Sequence, residues 1–82
     1  MSEHQIDTTI GRCVIDLTKY LMIEYQSSEE AAYRRLMRME LYTMLLDKES
    51  RLYLETNEYL KKCCEVECKE GVDAFYRFVN EN

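Results

Sequence analysis

Proline and tryptophan are absent from this chain, glycine occurs only at Gly11 and Gly71, and histidine only at His4. An all-β sandwich or a parallel α/β fold needs many tight turns, and Gly and Pro normally supply them. Their scarcity, beside abundant Leu, Met, Glu, Lys and Arg, selects helices. Two glycines cannot assemble a phosphate-binding loop or a dinucleotide fingerprint. One histidine in a terminal segment leaves an imidazole-based triad or acid–base pair without a home. No apolar run approaches the ~20 residues that span a bilayer. The start, Met1-Ser2-Glu3-His4-Gln5, lacks the basic-then-apolar pattern of a secretory signal, so the expected location is cytoplasmic. Basic residues number 11 against 16 acidic ones, a net charge of −5. That balance argues against nucleic acid and against an anionic membrane surface as partners.

What is present fits one small globular unit. The chain has 82 residues, 46% apolar and 33% charged. A chain this short buries only about 60–65% of its extended surface. Such a core supplies no more than ~3–5 kcal/mol, which makes a covering partner or a second copy an attractive source of further stability. The expected organisation is a flexible N-terminus over 1–6 and a single helical domain over 7–80.

Periodicity divides that domain into a compact orthogonal bundle of four to five helices, at about 7–26, 28–38, 39–47, 56–70 and 72–80. Asp7 is the expected cap of the first. Its stripe is Ile6, Ile10, Cys13, Val14, Leu17, Tyr20 and Leu21, with Arg12, Asp16 and Lys19 off it. Near Met22, Ile23 and Tyr25 apolar residues crowd all sides, as in a core end or an interface. Ser27 and Glu30 have capping-box spacing before the second helix, and a bend is expected near Arg38 or Met39. Asp47-Lys48-Glu49-Ser50 reads as a loop and Leu52-Tyr53-Leu54 as a segment pressed onto the core. Thr56 or Asn57 caps the next helix, Gly71 ends it, and Val72, Phe75, Tyr76 and Val79 face inward from the last.

Three groups of residues could carry chemistry or binding. Cys63, Cys64 and Cys68, with Cys13, suit a reducing compartment as free thiols. Cys64 and Cys68 share a helix face as two metal ligands would, but a closed zinc site needs four ligands, and the fourth would have to come from distant Cys13 or His4. Buried packing is the commoner fate of free cysteine, and no Cys-x-x-Cys is present. Arg34, Arg35 and Arg38 could meet phosphates or an acidic partner, in a helix–turn–helix for example. The 28–51 stretch, however, holds five basic and five acidic residues, and Glu29, Glu30 and Glu40 lie within pairing distance along the helix. Paired carboxylates such as Glu65 and Glu67 are ordinary on a solvated helix face. Seven tyrosines form the third group. A tyrosine buries its ring and keeps its hydroxyl at a wet rim, which suits both a small core and an interface.

From Tyr42 to Leu60 the chain reads Tyr-Thr-Met-Leu-Leu-Asp-Lys-Glu-Ser-Arg-Leu-Tyr-Leu-Glu-Thr-Asn-Glu-Tyr-Leu, with Ser28-Glu29-Glu30-Ala31-Ala32-Tyr33 upstream. This resembles short bacterial helical proteins encoded in toxin–antitoxin-like gene clusters, over about half the chain. The resemblance rests on Tyr42, Leu45, Asp47, Ser50, Leu52, Tyr53, Tyr59 and Leu60. Where that pattern tends to have Pro after the Asp and Gly before the Leu-Tyr pair, this chain has Lys48 and Arg51. The resemblance implies a bacterial origin and a binding role that neutralises or accompanies a toxin. The expectation overall is a non-enzymatic protein–protein interaction module, binding a protein partner or itself, with no cofactor and no small-molecule substrate. The candidate contact residues are Tyr25, Arg34, Arg35, Arg38, Tyr42 and Tyr53. The alternatives are a small DNA-binding regulator using the three arginines, or a thiol-based metal or redox protein.

Overall fold

Ser2, not Asp7, starts the first helix. Its hydroxyl accepts from the Gln5 amide at 3.2 Å, and the Gln5 side chain accepts from the Ser2 amide at 2.9 Å. This reciprocal box satisfies two of the orphan donors of a helix start. In the computed structural model, which describes residues 1–81, helix α1 therefore runs Glu3–Tyr25. The segment expected as a flexible lead-in is helical from Glu3. Lys48 fastens it further, 2.7 Å from Glu3 and 2.9 Å from Asp7. Asp7 serves as an ion-pair partner one turn into the helix.

Helix α1 ends where Gln26 enters the left-handed region, at φ 48° and ψ 49°. Helix α2, Glu29–Met37, is capped by Ser28, whose hydroxyl accepts from the Ala31 amide at 3.2 Å. The expected Ser27–Glu30 box is thus one residue out of register, and the Glu30 carboxylate instead meets Arg34 at 2.6 Å. The bend falls where expected. Arg38 closes α2 and Met39 is extended, so α3 (Glu40–Leu46) leaves in a new direction. Met39 has no side chain able to cap α3. Glu67 does it from across the bundle, its carboxylate accepting from the Glu40 amide at 2.8 Å and the Leu41 amide at 2.9 Å.

The 47–55 stretch is two tight turns. Lys48–Ser50 and Leu52–Leu54 are single 3₁₀ turns joined by Arg51, which sits at φ 56° and ψ 20°. Arginine thus occupies a left-handed position that glycine would take without steric cost. The polar stretch expected as a loop is ordered by Asp47, which accepts from the Glu49 amide, and by the Ser50 hydroxyl against the Met44 and Asp47 carbonyls. Leu52 and Tyr53 are pressed into the core, as the apolar triplet predicts.

Helix α4, Asn57–Glu70, is capped by Thr56. Gly71, at φ 96° and ψ 177°, ends it, and α5 (Val72–Asn80) begins at the next residue. That backbone conformation is open essentially to glycine alone. Helices α2, α3 and α4 pack on α1, and α5 packs on α4. The largest fully buried side chains are Leu17, Leu21, Leu36, Leu41, Leu45, Leu60, Cys63, Cys64 and Phe75. The protein is a small all-α bundle of five helices, with no strand among the described residues. Among those residues no helix is long and apolar enough to cross a membrane.

Candidate partner-binding face

The outward side of α1 is more apolar than a solvated helix requires. Ile15 is 55% exposed and Ile23 77% exposed, with Val14 and Met22 half-buried beside them. At 100° per residue Gly11, Ile15, Thr18 and Met22 fall on one side of the helix. Thr18 donates its hydroxyl to the Val14 carbonyl at 2.7 Å, which turns that polar group back onto its own helix. A Cβ at Gly11 would meet nothing within 4 Å. The fold itself therefore does not explain why the middle of α1 carries a helix-weakening residue.

Helix α2 supplies the other wall. Val14, Ile15, Thr18, Lys19 and Met22 of α1, with Glu29 and Tyr33 of α2, line an open groove of about 300 Å³. Tyr33 is braced by Tyr42, the hydroxyls 3.4 Å apart and the rings edge to face with centroids at 6.4 Å. The bond to Tyr33, and next the partial burial, raise the pKa of Tyr42, so its hydroxyl stays protonated. The groove has an apolar floor, with Lys19 on the α1 rim and Glu29 on the α2 rim.

The arginines are largely committed within the protein. Arg34 pairs with Glu30, and Arg35 lies over the Tyr25 ring, 3.9 Å from its centroid. Arg38 shares a shallow concavity with Ala31, Arg34 and Arg35. Tyr25 is exposed along its ring, while its hydroxyl bonds to the Cys68 thiol, which raises the tyrosine pKa. Tyr53 is a correction. It is only 9% exposed and belongs to the core, because the 3₁₀ turn that carries it is folded against α1 and α3. It is not available as a contact residue.

The cysteines divide by depth. Cys13, Cys63 and Cys64 are buried and Cys68 is half-buried. Burial pushes the Cys63 thiol up to about 11 and raises that of Cys13. Among the described residues no three His, Cys, Asp or Glu side chains are grouped so as to hold a metal ion. Sequence reasoning missed Ile15, whose position off the apolar stripe was a readable signal, and it missed Glu67, whose partners lie on a helix far away in the chain.

Comparison with protein-family models, with curated proteins and with solved structures gives no match.

Proposed function

We propose that this protein is a non-enzymatic interaction module that pairs with a second copy of itself through the α1–α2 groove. The observation that carries the reading is the apolar lining of the groove by Val14, Ile15, Met22 and Tyr33, set between one basic and one acidic rim. A two-fold axis over the groove brings Lys19 of each copy to Glu29 of the other, so the surface is complementary to itself. Gly11 on the same face lets a second helix approach closely. A stable pair needs roughly 800 Å² from each copy, a modest share of the 5513 Å² that the chain exposes. For its setting we keep the accessory, antitoxin-like role that the resemblance implies. The DNA-binding alternative has weaker support, because Arg34 and Arg35 are already engaged by Glu30 and Tyr25.

Sedimentation equilibrium tests the pairing. Wild type is expected to dimerise with rising concentration, and Ile15→Glu to remain monomeric. Lys19→Glu and Glu29→Lys should each weaken self-association by about 5–30-fold, since either one breaks both symmetry-related rim pairs, worth ~0.5–1 kcal/mol apiece. Mixing the two variants should restore it, since both rim pairs are re-formed in the mixed dimer. A wild type that stays monomeric into the millimolar range would sink the reading.

A further inference from the structure

Helix α2 turns a cationic side to solvent, away from the groove. At 100° per residue Ala31, Arg34, Arg35 and Arg38 fall on one side of the helix, with Glu29 and Tyr33 nearly opposite. All four are exposed, and together they line one shallow concavity of about 360 Å³. Among the described residues no carboxylate lines it, in a chain whose net charge is −5.

Two of the three guanidiniums are held in place before any ligand arrives. Arg34 is tied to Glu30 through one terminal nitrogen, at 2.6 Å. Arg35 sits over the Tyr25 ring, 3.9 Å from its centroid. A guanidinium has five N–H donors, so one bond on Arg34 leaves most of its fork open, and the ring contact leaves Arg35 its N–H edge. Arg38 is the C-cap of α2, and its side chain has no hydrogen-bond or ion-pair partner among the described residues. Restraint of two side chains lowers the entropy lost when an anion binds, and the third can close on it.

Charge and shape narrow the ligand. Three guanidiniums less the Glu30 carboxylate leave +2 at the concavity. A phosphate monoester carries about −1.5 to −2 at neutral pH on three acceptor oxygens, which arginine forks bind bidentately. One carboxylate brings about half that charge. Nucleic acid presents a long row of phosphates, and past the three arginines it meets Glu29, Glu30 and Glu40. Small-molecule sites bury roughly 70–90% of their ligand, which a shallow hollow on one helix face does not do. A phosphate carried on a peptide needs only its head group held there.

We propose that the Arg34, Arg35 and Arg38 concavity binds the phosphate monoester of a phosphorylated side chain on a partner protein. Arg34 and Arg35 form the preset fork, Arg38 closes it, and Glu30 and Tyr25 are positioning residues. The site lies round α2 from the groove, so it stands or falls independently of pairing there.

The test titrates the full chain with a short uncharged peptide bearing one phosphoserine, and follows arginine Nε–H and backbone amide NMR signals. The signals of Arg34, Arg35 and Arg38 should move. Binding should strengthen several-fold between about pH 5 and about pH 7.5, as the monoester loses its second proton. Arg38→Gln removes a side chain that has no partner to lose, and should weaken binding by about 10-fold. Ala31→Glu places a carboxylate in the concavity and should abolish binding. Both positions are exposed, so both variants keep the fold, read by circular dichroism. Equal binding of the unphosphorylated peptide, equal affinity for inorganic phosphate, tighter binding to random duplex DNA at the same salt, or an affinity indifferent to both variants would overturn the proposal.

Discussion

Glu67 shows how much one side chain can decide. Helix α3 is only seven residues long and starts without a cap of its own, and the Glu67 carboxylate closes two of its amides. Hydrogen bonds to a charged group contribute ~1.5–3 kcal/mol each, less where solvent has access. Glu67→Ala should therefore cost about 1–3 kcal/mol and Glu67→Gln about half of that, read as a lower urea midpoint at unchanged slope. Nothing in the local sequence announces this contact, because Glu65 and Glu67 have the same look of a solvated pair. The thiols make a second prediction at this scale. Cys63, with its pKa pushed up to about 11, binds its proton more tightly folded than unfolded. Above the unfolded thiol pKa of ~8.5–9 the unfolded chain loses protons first, so stability falls from there until pH reaches about 11. Urea midpoints measured at about pH 7.5 and about pH 10.5 should differ, and Cys63→Ala should narrow the difference. Cys68 works the other way. Its stabilising contribution is full above the unfolded thiol pKa and is lost as pH falls through about 6.

At the scale of elements, the two glycines give opposite signs for the same substitution. Gly11 lies inside α1 with open space where a Cβ would go, so Gly11→Ala should stabilise the monomer by about 0.5–1 kcal/mol. If a second copy approaches there, the same methyl weakens the dimer. Gly71 also has open space, but its φ of 96° and ψ of 177° belong almost wholly to glycine. Gly71→Ala should cost about 1–3 kcal/mol through the backbone alone and loosen α5 from α4. Thermal or urea unfolding of both variants, below the dimerising concentration, checks the pair. Helix boundaries are largely legible because Thr56 and Gly71 punctuate them locally, and the serine pair at Ser27 and Ser28 marks the start of α2 to within one residue. The start of α1 is harder to read, since Asp7 offers a plausible cap that masks the box formed by Ser2 and Gln5. The Arg51 turn is hidden for a different reason. A left-handed arginine has no sequence signature, and it is held by the packing of Leu52 and Tyr53.

For the whole molecule, size is the governing fact. The radius of gyration is 12.2 Å, close to the ~12 Å of a well-packed chain of this length. The all-α class is readable from the lack of turn residues, and the thin core from the length. Which apolar residues stay outside is readable only in part: Ile15 lies off the apolar stripe of α1, whereas the burial of Tyr53 follows from the packing of its 3₁₀ turn on α1 and α3. A core of this size has little reserve. Phe75→Ala, at a fully buried position, should cost about 3–5 kcal/mol and leave the isolated chain largely unfolded. Pairing adds stability by mass action, because the dimer draws on folded chains only, and a ligand at about 100 times its Kd contributes ~2.7 kcal/mol. The wild-type Tm should therefore climb by several degrees as concentration passes through the dimer Kd, at ~4–8 °C per kcal/mol for a domain of this size. Ile15→Glu should unfold at one temperature whatever its concentration. A flat wild-type Tm would leave the exposed isoleucines without a second copy to cover them, whereas a rising Tm abolished by one charge on α1 locates the added stability on that face.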